Sequence, residues 1–221
     1  MEAYRDRLQG EELVWLRQFR RLLKPYLRLG ATMIDVGCAT GYAYESFRRY
    51  GITYTGIDFN PARIAVAQDW FGADRNARFF VRDIKEPLPW TADIVICDAT
   101  LEHIPLGLQP ALRNIADAAD KVLLLRAFLG DEEILEWADE MAMPPRVGGS
   151  PINQFAFRDV LGYLESKGFA TKVYRCDYSD SMPMWKHGFV RTYYVVMAVR
   201  RQNDDQSSQN CAGSDVLIEN S

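Results

Sequence analysis

The sequence predicts an α/β fold on a mostly parallel sheet, and three observations carry the prediction. Apolar, β-branched segments alternate with helical patterns along most of the chain, the first such strand runs straight into a glycine turn, and the last two strands are separated by a short loop. Strands are expected at Thr32 to Val36, Thr53 to Ile57, Arg78 to Val81, Ile94 to Cys97, Val122 to Arg126, Thr171 to Tyr174 and Tyr193 to Val199. Helical patterns near Tyr44 to Tyr50, Pro61 to Phe71 and Leu108 to Ala119 lie between the first five. Strands joined by a short loop pair most readily as a hairpin. The expected product is therefore a seven-stranded mixed sheet with an antiparallel edge, sandwiched by helices. After the fifth strand the rhythm changes to an acidic helix from Asp131 to Met141, a Pro/Gly-rich stretch from Met143 to Pro151, and a helix from Phe157 to Ser166.

A chain of 221 residues suits one α/β domain with a substantial core. Residues 1–200 are read as that domain, with residues 1–29 as an N-terminal helical segment. Residues 201–221 are rich in Asp, Gln, Ser and Asn with little to bury, and are expected to form a disordered polar tail. In the N-terminal segment Leu13, Leu16, Phe19, Leu23 and Tyr26 make an apolar stripe opposite Arg17, Arg20, Arg21, Lys24 and Arg28, the pattern of a surface helix with a solvated basic face. The formal net charge of -4 opposes a broad electrostatic grip on nucleic acid. Cys38, Cys97, Cys176 and Cys211 form no C-x-x-C pair, so reduced thiols and a cytoplasmic setting are expected. The first residues lack the apolar run of a signal peptide, and no stretch approaches the roughly 18 apolar residues of a membrane span. No membrane partner is expected.

The first strand, Met33-Ile34-Asp35-Val36, leads into Gly37-Cys38-Ala39-Thr40-Gly41. Glycine permits a sharp turn and a close backbone approach to a ligand, and the crevice outside strand C-termini is where sheets of this Rossmann-like kind bind cofactors. A dinucleotide turn prefers G-x-G-x-x-G, a spacing this stretch does not have. At the end of the second strand Gly56-Ile57-Asp58-Phe59-Asn60-Pro61 places a carboxylate about 20 residues beyond the turn, where it can accept hydrogen bonds from ribose hydroxyls. Asn60 then caps the next helix and Pro61 takes its first position. The third strand ends in Arg82-Asp83-Ile84, and the fourth opens from Asp98 into Ala99-Thr100-Leu101-Glu102-His103-Ile104.

The glycine turn resembles motif I of class I S-adenosylmethionine (SAM) dependent methyltransferases, an acidic residue followed by G-x-G-x-G, matched by Asp35, Gly37, Ala39 and Gly41. The stretch from Asp98 through L-E-H-I is similar to the group related to ubiquinone-biosynthesis methyltransferases. The resemblance covers residues 30 to 126. It implies SAM as cofactor, held by Asp35, Gly37, Cys38, Ala39, Thr40 and Gly41 at the turn and by Asp58 and Phe59 at the ribose. It further implies Asp83 and Ile84 at the adenine, with Asp98 and Thr100 closing the site. Asp35 has an alternative role as a cap on the turn's amides, Asp83 as a loop cap, and Cys38 as a small turn filler. In metal-using relatives the later stretch reads E-x-x-E-H; Ala99 replaces the first glutamate here, so no metal is expected.

Methyl transfer from a sulfonium is an in-line displacement, served chiefly by holding donor and acceptor in line. A hydroxyl acceptor gains from loss of its proton, and His103 is the candidate base, with a structural role in its loop as the alternative. The acceptor pocket is expected above the fourth and fifth strands, with Asn153 on an amide-rich edge and Trp185 and His187 in a loop rich in Met and aromatic groups. The expected acceptor is a small molecule, bound on an O or N atom. A protein or RNA methyltransferase and an inactive SAM-binding partner protein are the alternatives, and the oligomeric state is left open.

Overall fold

The structure, a computed structural model, describes residues 12–105, 108–138, 150–186, 189–201 and 218–219. Helix α1 (Val14–Leu23) buries Trp15, Leu16, Phe19 and Leu23, the apolar stripe read from the sequence, and turns Arg17, Arg21 and Lys24 outward. Then follow β1 (Thr32–Val36), α2 (Tyr42–Phe47), β2 (Thr53–Asp58), α3 (Pro61–Phe71), β3 (Ala77–Val81) and β4 (Ala92–Asp98). Asn60 caps α3 by accepting from the amides of Ala62 and Arg63. Helix α4 (Ala111–Ala118) leads directly into the long β5 (Ala119–Gly130). The second half holds β6 (Trp137–Ala138), β7 (Ser150–Pro151), β8 (Phe155–Ala156), α5 (Phe157–Ser166) and β9 (Phe169–Arg175). The remaining strands are β10 (Met184–Lys186), β11 (Phe189–Arg191), β12 (Tyr193–Arg200) and β13 (Ile218–Glu219).

The main sheet runs β13-β9-β12-β5-β4-β1-β2-β3, with β8 beside the end of β5. Strands β1 to β5 are parallel, whereas β12 is antiparallel to both β5 and β9. The expected mixed edge is present, and β12 lies inside it rather than outermost. In β4 successive side chains serve opposite faces: Val95 and Cys97 join the core beneath α4 and α5, while Ile94 and Ile96 join the core beneath α1, α2 and α3. Both faces of the central strands are thus covered, which explains their unbroken apolar runs. Because β1 is flanked by β2 on one side and β4 on the other, the strand order reverses there, the position at which open sheets of this kind bind ligands beyond their strand C-termini.

One expectation is corrected, and a second stretch gains a strand. The described part of the segment read as an acidic helix, Asp131 to Met141, is extended: Ile134 and Gln154 exchange backbone hydrogen bonds at 2.9 and 2.8 Å, and β6 pairs with β7. Backbone pairing with the returning chain overrides the helical composition of Glu-Ile-Leu-Glu-Trp. Likewise Ile218–Glu219, inside the stretch read as a disordered tail, add a short parallel strand to β9, where Lys172 meets Glu219 at 3.1 Å. The open edge of β9 supplied unpaired backbone groups for that pairing.

Candidate functional site

The glycine turn begins where β1 ends. The amides of Gly37 and Cys38 both donate to the carbonyl of Ile57, at 2.8 and 2.9 Å, so the turn is hung from the end of β2. Gly37 and Gly41 have φ of +75° and +77°, and a Cβ on Gly37 would lie 2.0 Å from Thr100 Oγ1. Ala39, the one departure from G-x-G-x-G, also takes a left-handed φ of +50°. Its amide donates to Asp58 Oδ2 at 3.0 Å, a bond that holds the strained residue in a glycine-like conformation.

Asp58 is buried, and its other oxygen accepts from the Asn60 amide at 2.9 Å. Asp35 does not cap the turn. Its carboxylate accepts from the Tyr54 hydroxyl, and burial pushes its pKa up to about 7, against the lowering effect of that bond. Cys38 is buried, and burial raises its thiol well above the ordinary range, which fits a small filler of the turn. Thr40 Oγ1 is buried with no hydrogen-bond partner.

The other residues expected at the donor lie at or just after the ends of β2, β3 and β4. Phe59 is exposed beside Asp58. Asp83 is also exposed, its Oδ1 accepting from the Lys85 amide at 2.9 Å, while the Ile84 side chain turns into the core beside α4. Thr100 Oγ1 donates to the Asp98 carbonyl at 2.9 Å. Asp98 forms a buried ion pair with Arg126 Nε at 2.5 Å. The guanidinium of Arg126 lies 4.5 Å from the ring of Tyr193, 5.2 Å from that of Trp15 and 5.6 Å from that of Tyr178.

The acceptor candidates fare unequally. His103 Nδ1 meets the Pro151 carbonyl at 3.0 Å, a contact that puts the proton on Nδ1 and the basic lone pair of the neutral ring on Nε2. Asn153 is buried: its side-chain amide donates to the Ile104 carbonyl at 2.9 Å and its backbone amide to the Glu102 carbonyl at 2.9 Å. Its polar group ties down the loop after β4. Trp185 is 75% exposed, opposite Val190 on the outer face of the β10–β11 hairpin. His187 lies outside the described residues.

Sequence reading missed Arg126, Glu102 and Tyr193 as a group. Glu102 is wholly buried and accepts from the Tyr193 hydroxyl at 3.0 Å. One signal was present: Arg126 interrupts the apolar run Val122-Leu123-Leu124-Leu125, and a charge inside a buried strand requires a partner. Among the described residues no group of three or more His, Cys, Asp or Glu side chains is placed to hold a metal ion.

The sheet order and the glycine turn define an α/β protein of the kind that binds nucleoside-type cofactors at strand C-termini. A family model described as a methyltransferase domain matches residues 5–170, and the chain belongs to that family. SAM is the methyl donor of the family, and the fold is that of its class I members. A ubiquinone biosynthesis O-methyltransferase of Pseudomonas entomophila is 38% identical over 80 residues, a stretch covering 34% of each chain. The match thus spans only about a third of that relative's length. Among solved structures, a TehB-like SAM-dependent methyltransferase of Corynebacterium glutamicum aligns with a TM-score of 0.60 at 19% identity, covering 90% of this chain and 95% of that one. Magnesium protoporphyrin IX methyltransferase of Synechocystis PCC 6803, crystallised with SAH, aligns with a TM-score of 0.58 at 18% identity, covering 89% and 92%. Among the described residues no helix is long and apolar enough to cross a membrane.

Proposed function

We propose that this family member transfers the methyl group of SAM to an O or N atom of a small-molecule acceptor. Two features suit such a donor: Thr40 Oγ1 is an unpaired buried hydroxyl, and Asp58 retains acceptor capacity beyond its backbone bonds. Asp35, Gly37, Cys38, Ala39, Thr40 and Gly41 form the wall at the amino-acid end. Asp58 and Phe59 hold the ribose, Asp83 and the backbone of Ile84 border the adenine, and Asp98 and Thr100 close the floor. When bound, SAM supplies an electrophilic methyl on a sulfonium; the chain supplies alignment and exclusion of water.

The observation that carries the acceptor side is the His103 Nδ1 contact with Pro151. It fixes the tautomer whose Nε2 can take the proton of an acceptor hydroxyl. Trp185 offers an exposed apolar face, which suits a flat organic acceptor. Screening phenols, alcohols and amines with labelled SAM tests the reading. Transfer to a phenol that falls at least tenfold in His103→Asn, with SAM affinity unchanged, is the expected result. Labelling of RNA or protein in place of every small molecule would overturn it.

One observation favours that second reading. Arg17, Arg21 and Lys24 are exposed on α1, whose Trp15 packs on Arg126 at the site, so a basic face borders the same end of the sheet.

A further inference from the structure

The two oxygens of the Glu102 carboxyl are unequally held. Oε1 accepts from Tyr193, but Oε2 is buried with no hydrogen-bond partner. A charged oxygen in that setting is unfavourable, so the group tends to hold a proton, and burial pushes its pKa up to about 7. The groups facing it come from three strands. Asp98 on β4 opposes its ionisation, its own backbone amide and Arg126 on β5 favour it, and Tyr193 on β12 binds it, while the neighbouring Cys97 thiol is held neutral by burial.

These contacts are continuous. The Tyr193 ring that binds Glu102 carries Arg126 over its face at 4.5 Å, and Arg126 pairs with Asp98 at 2.5 Å. A carboxyl of adjustable charge therefore stands behind the ion pair at the end of β4, next to the glycine turn. SAM carries a sulfonium charge, whereas its product S-adenosylhomocysteine (SAH) is a neutral thioether at the same atom. A positive charge brought to this end of the sheet favours the ionised form of a nearby carboxyl.

We infer that Glu102 is a positioning residue that responds to donor charge: it gives up its proton to solvent when SAM binds and regains one when SAH replaces SAM. Acting through Tyr193 and the Arg126–Asp98 pair, it makes the site prefer the charged donor to the spent product. The inference rests on the donor site proposed above. By linkage, each tenfold preference gained on ionisation corresponds to one unit by which bound SAM lowers the Glu102 pKa.

Calorimetric titration of the full chain with SAM and with SAH, in phosphate and in Tris, reads proton exchange directly. At pH 7, SAM binding should release on the order of half a proton more than SAH binding, as expected of a group titrating near that pH. The SAM:SAH affinity ratio should rise severalfold from pH 6 to pH 8. Asp35, whose carboxyl also titrates near pH 7, adds to the release, so Asp35→Asn serves as the control. In Glu102→Gln both effects should shrink to the Asp35 share, whereas in Asp35→Asn the Glu102 share should remain. In Tyr193→Phe, which removes the hydroxyl on Oε1, the rise in ratio should move to higher pH; this variant decides the matter if Glu102→Gln does not fold. Wild-type proton release and affinity ratio persisting in the variants would overturn the inference while leaving the donor site intact. Failure of the wild-type chain to bind SAM would overturn the donor site and this inference with it.

Discussion

Arg126 and Asp98 form an ion pair at 2.5 Å with both side chains more than nine-tenths buried, and it joins the end of β4 to the adjacent parallel β5 under the aromatic rings of Trp15, Tyr178 and Tyr193. The two residues are direct register partners in β4 and β5. Removing one partner strands a charge in a dry environment, which is worse than losing both. Arg126→Met should lower unfolding free energy by about 3–5 kcal/mol in urea titrations. Adding Asp98→Asn should restore part of that loss, and a purely additive double variant would argue against coupling.

Asp58 holds the turn as well as the proposed ribose site, so its loss should act on both. Asp58→Ala should weaken SAM binding at least tenfold, measured by equilibrium dialysis. Its lost bonds to the amides of Ala39 and Asn60 should lower stability by about 1–3 kcal/mol. Unchanged SAM affinity in the folded variant would remove Asp58 from the donor site.

Gly37 combines a left-handed φ with a close approach to Thr100 Oγ1. Gly37→Ala should therefore destabilise the fold by about 1–3 kcal/mol. Gly37→Ala with Thr100→Gly removes the clash but keeps the backbone strain, so it should recover only part of the loss attributed to Gly37. A double-mutant cycle with no coupling would contradict the contact.

The pH dependence of stability follows from Asp35 and Glu102. Both are lifted from their ordinary 3.8 and 4.5 to about 7 by burial. Between about pH 4 and 7 the folded chain keeps these protons while the unfolded chain has released them. Their contribution is therefore complete below the ordinary values and is lost as pH rises towards 7. Chemical denaturation should show stability falling across that window and levelling above it, with a shallower fall in both Asp35→Asn and Glu102→Gln. A slope unchanged in both variants would assign the effect to other groups.

The departures from local pattern share one physical cause. The glycine turn, the capped α3 and the alternating strands were legible because each is written in contiguous residues whose conformation depends on near neighbours. The segment Asp131 to Met141 reads as a helix by composition, but Ile134 found backbone partners at Gln154 that local propensity does not record. The side-chain amide of Asn153 bonds to Ile104, 49 positions away in the chain, a contact that no local pattern announces.

The sequence by itself determined the family-type core: the α/β alternation, the left-handed glycine turn, and the carboxylates that end β1, β2 and β4. Those features follow from strand periodicity and from the few residues able to turn a backbone beside a ligand. Tertiary structure decided what surrounds them. Inserting β12 between β5 and β9 brings Tyr193 over Arg126 and against Glu102, and the return of residues 150–154 anchors His103 and Asn153. Such contacts join residues up to 91 positions apart, and their energies come from burial and mutual satisfaction that no local stretch encodes.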